Sequence, residues 1–323
     1  MSAALFLFVS LTSVFVCACK PNGGINELTI YTIKGPSGVG MIRLFEEPPK
    51  IVGFNVEVEA MAQADLLAAR FITGEAKVGI MPPNMAAKIA SSGRDIRAAA
   101  VIGAGMLSLL SSDPSVRGFE DIKGKTVEVV GQGATPDYVF QTILRAHGFA
   151  PNIDVALGYS LAYPEVAQSL IAGRVSIALL PEPFATMALM GKPDLKRVTD
   201  IQEEWAKATG LHGQGGGNYP MTLLVIDGAF ASANREALGE IFTAVENSIG
   251  WVRAHPEEAG ALVEKHELGL KAGIVAAAIP NSNYVFVPAS EARPSLEALY
   301  RVFLENDPSS IGGTLPGDGF YLK

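Results

Sequence analysis

The sequence predicts an α/β protein of two similar lobes, each built on an open sheet. Three observations lead to this fold class. From residue 27 onward, short apolar runs alternate with segments of helical periodicity, which is the pattern of βα units rather than of a sandwich or a helix bundle. The 323 residues are enough for about two domains of roughly 100–200 residues each. The order of elements also repeats within the chain.

The internal repeat has two copies with the same spacing. In the first copy Gly74 precedes a buried strand within 75–81 and the pair Pro82-Pro83, and in the second Gly173 precedes a strand within 174–180 and Pro181-Glu182-Pro183. Each copy is preceded by a strand that enters a Gly-rich turn, at 35–40 and at 131–133. Two lobes of the same plan explain this spacing, and a chance match is the alternative.

Periodicity predicts the individual elements in order. Alternation with a period of two, or a short apolar run, predicts strands at 27–33, 55–60, 78–81, 96–103, 106–111, 126–130, 154–159, 175–180, 221–226 and 284–287. Helical spacing predicts helices at 64–72, 83–90, about 131–147, 165–171, 184–190, 237–254, 256–266 and 290–304. Residues 213–219 form a predicted loop, because four glycines in seven residues disfavour regular structure.

Composition excludes several classes of protein. A hydrophobic fraction of 49% with 18% charged residues is not that of a disordered chain. The net charge is −8 and no basic stripe is present, which excludes a nucleic-acid partner because phosphate contacts need clustered Lys and Arg. No second run of about 20 apolar residues follows the N-terminus, which excludes a multi-pass membrane protein.

The N-terminus predicts export and lipidation. Residues 3–16 have the length and apolarity of a signal-peptide core. The following Val16-Cys17-Ala18-Cys19 resembles the bacterial lipoprotein box, with Cys19 as the acylated residue, 1–18 as the signal peptide and 19–27 as a tether. The stretch before residue 3 departs from the pattern because it lacks Lys and Arg. A plain secreted protein and an uncleaved anchor helix are the alternatives.

A ligand site is predicted where the two lobes face each other. In open α/β sheets ligands bind beyond the carboxyl ends of strands, and four turns occupy that position, at 35–40, 81–84, 131–137 and 180–184. Each turn leads into a helix N-terminus, whose free N–H groups hold anions or carbonyl oxygens. None of the turns has the ending of a P-loop or a complete GxGxxG. Chain reversal with capping by Ser37 or Thr135 is the structural alternative.

Several polar side chains near these turns are candidates for ligand contact. Glu182, stiffened by flanking prolines, either accepts from a ligand amine or complements a helix dipole. Tyr159, Tyr163 and Tyr219 either stack on a flat ligand or pack as ordinary half-buried rings. Asn84 and Asn281 are neutral donor–acceptor candidates.

Catalysis and metal binding have little support in the sequence. The only cysteines are Cys17 and Cys19, so the mature body has no disulfide and no cysteine-bound zinc. The four histidines are scattered, and no HExxH, GxSxG or SxxK motif occurs. Only His212, beside the glycine loop, is a candidate. We therefore expect no enzymatic activity, no metal and no cofactor.

Several phrases resemble the solute-binding proteins of bacterial ABC importers, in the group that serves aliphatic sulfonates, taurine, nitrate and thiamine-pyrimidine precursors. They are GPSGVG (35–40), GIMPPNMAAKIA (79–90), FEDIKGKTVEVVGQGATPDYVF (119–140), ALLPEPFATMAL (178–189) and SSIGGTLPGDGFY (309–321). The resemblance implies a periplasmic-binding-protein type II fold, with mixed sheets flanked by helices and a two-strand hinge. It implies that 28–112 and 221–323 form lobe 1 and that 113–220 form lobe 2.

The resemblance also implies a site and a function. The cleft candidates carried over by motif position are Ser37, Gly38, Asn84, Gln132, Thr135 and Glu182. The implied protein is an extracytoplasmic, lipid-anchored monomer that closes on a small-molecule ligand and docks on an ABC transporter permease. A pyrimidine-like heterocycle or an aliphatic sulfonate is the expected ligand. The alternatives are an enzyme of the same fold using His212 or Glu182, and a ligand sensor for a membrane receptor. The family's pyrimidine synthase carries a CCCFC motif that this body lacks.

Overall fold

The computed structural model describes residues 25–211 and 218–323, and it contains two mixed sheets flanked by helices. The strands are β1 (Asn26–Ile33), β2 (Phe54–Met61), β3 (Val78–Met81), β4 (Ile96–Ala104), β5 (Leu107–Ser111), β6 (Thr126–Val129), β7 (Ala156–Gly158), β8 (Ile177–Pro181), β9 (Lys196–Asp200), β10 (Pro220–Asp227) and β11 (Tyr284–Pro288). The predicted signal peptide, most of the predicted tether, Cys19, His212 and 213–217 lie outside the described residues.

The helices lie on both sides of the sheets. They are α1 (Pro36–Val39), α2 (Arg43–Glu46), α3 (Ala64–Thr73), α4 (Pro83–Ser91), α5 (Thr135–Ala146), α6 (Tyr163–Ile171), α7 (Phe184–Gly191), α8 (Ile201–Thr209), α9 (Gly228–Ala233), α10 (Arg235–Ala254), α11 (Pro256–Lys265), α12 (Ala272–Ala278) and α13 (Ala289–Asn306). Four short 3-10 helices lie at Phe119–Ile122, Ile279–Asn281, Pro308–Ile311 and Asp318–Phe320. Within 25–211 and 218–323, no helix is both long and apolar enough to cross a membrane.

The sheet topology confirms the predicted α/β fold class. The first sheet has the order β11-β4-β10-β3-β1-β2, and the second has the order β7-β6-β8-β5-β9. In the first sheet β1 is parallel to β2 and β3, whereas β10 is antiparallel to β3. In the second, β6 is parallel to β7 and β8, whereas β5 is antiparallel to β8. The two copies of the sequence repeat therefore occupy equivalent places in two sheets of similar plan.

The chain passes between the sheets twice. It leaves the first sheet after β4, builds the whole second sheet, and returns at β10. The predicted boundary at residue 112 would place β5 in lobe 1, yet β5 is hydrogen-bonded to β8 and β9 of the second sheet. We therefore propose Gly105-Met106 as the first lobe boundary, and we keep 220–221 as the second.

The apolar core has one part that is continuous between the two sheets. It contains Tyr138 and Phe140 of α5 together with Tyr300 and Phe303 of α13. The Tyr138 and Phe303 rings meet edge to face with centroids 5.2 Å apart. Two further clusters cover the other side of each sheet. Burial of aromatic surface between α5 and α13 therefore fixes how the two sheets sit in this structure.

His147, which ends α5, lies between two carboxylates. Its Nδ1 is 2.5 Å from Glu120 Oε1 and its Nε2 is 2.7 Å from Glu204 Oε2. Both ring nitrogens donate only when the imidazole is protonated. Burial opposes the charged form, but the hydrogen bonds to Glu120 and Glu204 outweigh it and raise the pKa of His147.

We expect this ion triad to make stability depend on pH. Because the folded-state pKa is raised above the unfolded value, the triad stabilises fully below about pH 6.5 and its contribution is lost as pH rises through the folded pKa. His147→Gln should therefore lower the free energy of unfolding more at pH 6 than at pH 9, as measured by urea denaturation. An equal loss at both pH values would contradict an imidazolium at this site.

Candidate ligand-binding cleft

The four predicted turns lie at the carboxyl ends of parallel neighbours. Strand β1 runs into α1 and β3 into α4, and these two strands are paired in parallel in the first sheet. Strand β6 runs into α5 and β8 into α7, and they are likewise paired in the second sheet. In each sheet, two predicted ligand turns therefore lie next to each other at the same end of the strands.

Two contacts link elements beside the turns of the first sheet to the second sheet. On one side the Gly35 N–H donates to Leu268 O at 3.0 Å, and nearby Leu270 packs against the apolar clusters of both sheets. On the other side Tyr300 Oη donates to Pro83 O at 3.1 Å, while Phe303 of the same helix meets Tyr138 of α5. Both contacts lie beside predicted ligand turns of the first sheet, at Gly35 and at Pro83.

In the first turn, Ser37 is half-buried and Gly38 is buried. A Cβ on Gly38 would lie 2.9 Å from Ile33 O and 3.2 Å from Leu268 Cδ1, so the turn packs too closely for a side chain there. Tyr284 Oη donates to Pro36 O at 3.1 Å. Capping by Ser37 is not observed, because Gly35 is the N-cap residue.

In the second turn, Asn84 lies in the first turn of α4. Its Oδ1 atom is buried and has no hydrogen-bond partner among the described residues. Thr32 of neighbouring β1 is fully buried, and its Oγ1 likewise lacks a partner in the described part of the chain. Sequence reasoning missed Thr32. Its hydroxyl within an apolar strand was the signal that could have marked it as a candidate.

In the third turn the main polar group is Asp137, which is 2% exposed. Its carboxylate accepts from Gly133 N at 2.8 Å, from Gln141 Nε2 at 2.7 Å and from Tyr159 Oη at 2.6 Å. Burial and the bond to Asp137 raise the pKa of Tyr159. The predicted contact residue Tyr159 therefore has its hydroxyl engaged, and only its ring remains available to a flat ligand.

The other two candidates of this turn have different surroundings. Gln132 is exposed, and Thr135 is buried as the first residue of α5. The capping alternative for Thr135 is not observed, because Ala134 is the N-cap residue and offers no side-chain bond. Nearby Tyr163 stacks on Phe184 with centroids 5.5 Å apart, and burial raises the pKa of Tyr163 to about 12.

In the fourth turn Glu182 is fully buried with both carboxylate oxygens engaged. Oε2 accepts from Thr186 N at 3.0 Å, and Oε1 accepts from Arg197 Nη2 at 2.5 Å. Arg197 also bonds Ser108 Oγ. This arrangement agrees with the structural alternative for Glu182, in which the carboxylate complements the dipole of the helix that follows it. Sequence reasoning missed Arg197, because only the pairing of β9 with β5 brings it here.

Tyr219 joins the two connections between the sheets. Its carbonyl accepts from Gly105 N at 2.9 Å and its Oη accepts from Leu107 N at 3.2 Å. The ring is fully buried and lies 5.7 Å from the Trp205 ring, edge to face. Gly105 has φ +36°, and a Cβ there would lie 2.6 Å from Gln202 Cγ. Tyr219 therefore packs within the connection between the sheets, where its ring is buried and its hydroxyl accepts a hydrogen bond.

Asn281 ends a short 3-10 helix and is exposed. Among residues 25–211 and 218–323, no group of three or more His, Cys, Asp and Glu side chains is placed to hold a metal ion.

Solved structures of an ABC transporter protein and of two periplasmic binding proteins resemble this one over most of its length. An ABC transporter protein from Parabacteroides distasonis has a TM-score of 0.78 at 23% identity, covering 92% of this chain and 99% of that one. The periplasmic aliphatic sulphonate binding protein SsuA of Escherichia coli has 0.72 at 16%, covering 92% of each chain. The periplasmic nitrate-binding protein NrtA of Synechocystis has 0.60 at 13%, covering 91% of this chain and 83% of that one.

These similarities confirm the type II periplasmic-binding fold that the sequence resemblance implies. No curated protein matches the sequence. The sequence profile described as NMT1/THI5 like matches residues 51–259, which is more than half of the chain. The chain belongs to the NMT1/THI5-like family.

Proposed function

We propose that this protein is the lipid-anchored solute-binding component of an ABC importer. The observation that carries the proposal is that each sheet places two predicted ligand turns side by side at the carboxyl ends of its strands, and that the chain leaves the first sheet after β4 and returns to it at β10. Family membership and the similar binding-protein structures support the same role. The proposed protein acts outside the cytoplasm as a monomer, is held by acylated Cys19, and delivers its ligand to a transmembrane permease.

The proposed mechanism is hinge closure. The two lobes rotate about Gly105-Met106 and the connection ending at Tyr219, and a ligand that touches both lobes favours the closed state. Because Tyr219 bonds to both Gly105 and Leu107, the two connections move as one unit. The ligand contributes closure energy only through contacts that the open state lacks.

We propose that neutral groups recognise the ligand. The four turns contain no Lys or Arg, and the carboxylate of Glu182 is already satisfied by Arg197 and Thr186. Asn84 and Thr32 retain buried polar atoms that have no hydrogen-bond partner among residues 25–211 and 218–323, and such atoms are costly unless a ligand bonds them. A pyrimidine-like heterocycle fits this chemistry. An aliphatic sulfonate, held by the N–H groups of α4 and α5, is the second candidate.

A binding experiment tests both the role and the ligand class. A thermal-shift screen of the soluble Cys19→Ser protein against pyrimidines, sulfonates, nitrate and amino acids should identify a heterocycle, and the bound molecule should be recovered unchanged after denaturation. Turnover of the molecule would support the enzyme alternative instead. A rise in melting temperature with sulfonates alone would contradict the heterocycle.

Asn84→Ala should weaken binding of that ligand about tenfold, the effect of losing one hydrogen bond of roughly 1.4 kcal/mol. Isothermal titration calorimetry measures the change. Asn281→Ala is the matched control, because Asn281 is exposed at the end of a 3-10 helix. Equal affinities for the two variants would remove Asn84 from the site.

A further inference from the structure

Two aliphatic side chains are exposed together where the described chain begins. Val52 is 97% exposed and Ile25 is 72% exposed. They are neighbours, because the N–H of Asn26 donates to Gly53 O at 2.9 Å. We call Ile25 and Val52 the entry surface.

The fold fixes the positions of Ile25 and Val52 and leaves no room for their side chains in the core. Ile25 precedes β1 and Val52 lies in the turn before β2, and these strands pair in parallel from their first residues. Beside Val52, Ile51 is buried, and Phe54 packs against Phe230 with centroids 5.8 Å apart. The core beneath is therefore occupied, and the two exposed side chains remain outside it.

The sequence limits how far this surface can be from a lipid anchor. Five residues separate Cys19 from Ile25. Even fully extended, this segment spans at most about 20 Å, at roughly 3.3–3.6 Å per residue. If Cys19 is acylated, the amino-terminal end of β1 must stay within that distance of the bilayer.

We propose that the entry surface rests on the lipid bilayer in the anchored protein, with Val52 and Ile25 inserted into the interface. This inference rests on the proposed lipid anchor. Lys50 and Glu27 lie beside these residues in the chain and are both exposed with opposite charges, so the contact is apolar and does not need anionic lipid. Two aliphatic side chains bind weakly compared with an acyl chain, so the body remains able to turn toward a permease.

The contact also leaves the candidate cleft open. The entry surface lies at the amino-terminal ends of β1 and β2, whereas the ligand turns follow the carboxyl ends of β1 and β3. Lipid at one end of the first sheet therefore does not cover the turns at the other.

Fluorescence quenching in vesicles tests the contact on the full acylated protein. Acylation consumes the Cys19 thiol, Cys17 leaves with the signal peptide, and the body has no other cysteine. Val52→Cys therefore creates one thiol for an environment-sensitive dye. Ile153→Cys is the matched control, since Ile153 is 85% exposed and lies in the segment between α5 and β7.

In phosphatidylcholine vesicles carrying nitroxide lipids, the dye at position 52 should be quenched several-fold more than the dye at 153, at low and at high salt alike. Equal quenching at both positions would overturn the contact. A dye at 52 that is shielded from water but not quenched by the lipids would also overturn it, because that result indicates a protein occupant of the entry surface. Failure of the protein to float with the vesicles would overturn the anchor as well as the contact. Flotation with an unquenched dye at 52 would overturn the contact alone.

Discussion

Replacing Glu182 by alanine should lower the free energy of unfolding by about 2–4 kcal/mol. The substitution leaves the Arg197 guanidinium without its carboxylate and the Thr186 N–H without an acceptor. Breaking a fully buried pair costs about 3–5 kcal/mol. The Arg197 side chain is 35% exposed, so water replaces part of the lost interaction and the expected cost is smaller. Urea denaturation of the soluble Cys19→Ser protein measures it.

Two companion variants separate the ion pair from a ligand contact. Glu203→Ala changes an exposed carboxylate of α8 and should alter stability by less than about 0.5 kcal/mol. Adding Arg197→Ala to Glu182→Ala should cost little more than Glu182→Ala alone, because the two side chains act as one unit. If Glu182→Ala instead leaves stability unchanged and abolishes ligand binding, the carboxylate faces the ligand and the structural interpretation is wrong.

The elements that were predicted well are those whose burial is visible in local periodicity. Strand β3 was predicted at its observed bounds, and β1 and β10 were predicted to within one residue at each end. These strands lie inside the first sheet, so they are apolar throughout or alternate cleanly. The helices α3, α4 and α11 also begin at their predicted residues.

Strand β9 was missed because it depends on a partner that is distant in the chain. Strand β9 is polar and largely exposed, and it forms because the edge of β5 is available for pairing. The predicted strand at 154–159 is observed only over 156–158, since the backbone and carboxylate of Asp154 bond to Gly124 and Ala150. Helix α8 did carry a local signal, because the Asp200 carboxylate caps it by accepting from Gln202 N.

In the candidate site, too, local features could be predicted from the sequence and long-range contacts could not. The four turns could be located from glycine, proline and strand ends, because those signals are local. Which polar atoms are satisfied could not be predicted, because Arg197 reaches Glu182 across the second sheet and Tyr159 reaches Asp137 from another strand end. Those pairings decide which side chains remain available to a ligand.

Asp137→Ala should lower stability by about 2–4 kcal/mol and weaken ligand binding by about tenfold or more. One buried carboxylate accepts from Gly133 N, Gln141 Nε2 and Tyr159 Oη, and each hydrogen bond to a charged group contributes about 1.5–3 kcal/mol. Water can hydrate Gln141, which is only half-buried, so the three bonds are not lost in full. The bond to Gly133 holds a predicted ligand turn, and its loss should loosen that turn and reduce affinity.

Two further substitutions distinguish the turn from the rest of the network. Asp137→Asn can still accept from Tyr159 and Gln141, but its amide then opposes the Gly133 N–H, donor against donor. Tyr159→Phe removes one donor and leaves the bond to Gly133. Urea denaturation and calorimetry should therefore show that Asp137→Asn weakens ligand binding more than Tyr159→Phe does, at a comparable cost in stability. The reverse order would mean that the Tyr159 hydroxyl, rather than the glycine turn, is what Asp137 positions for the ligand.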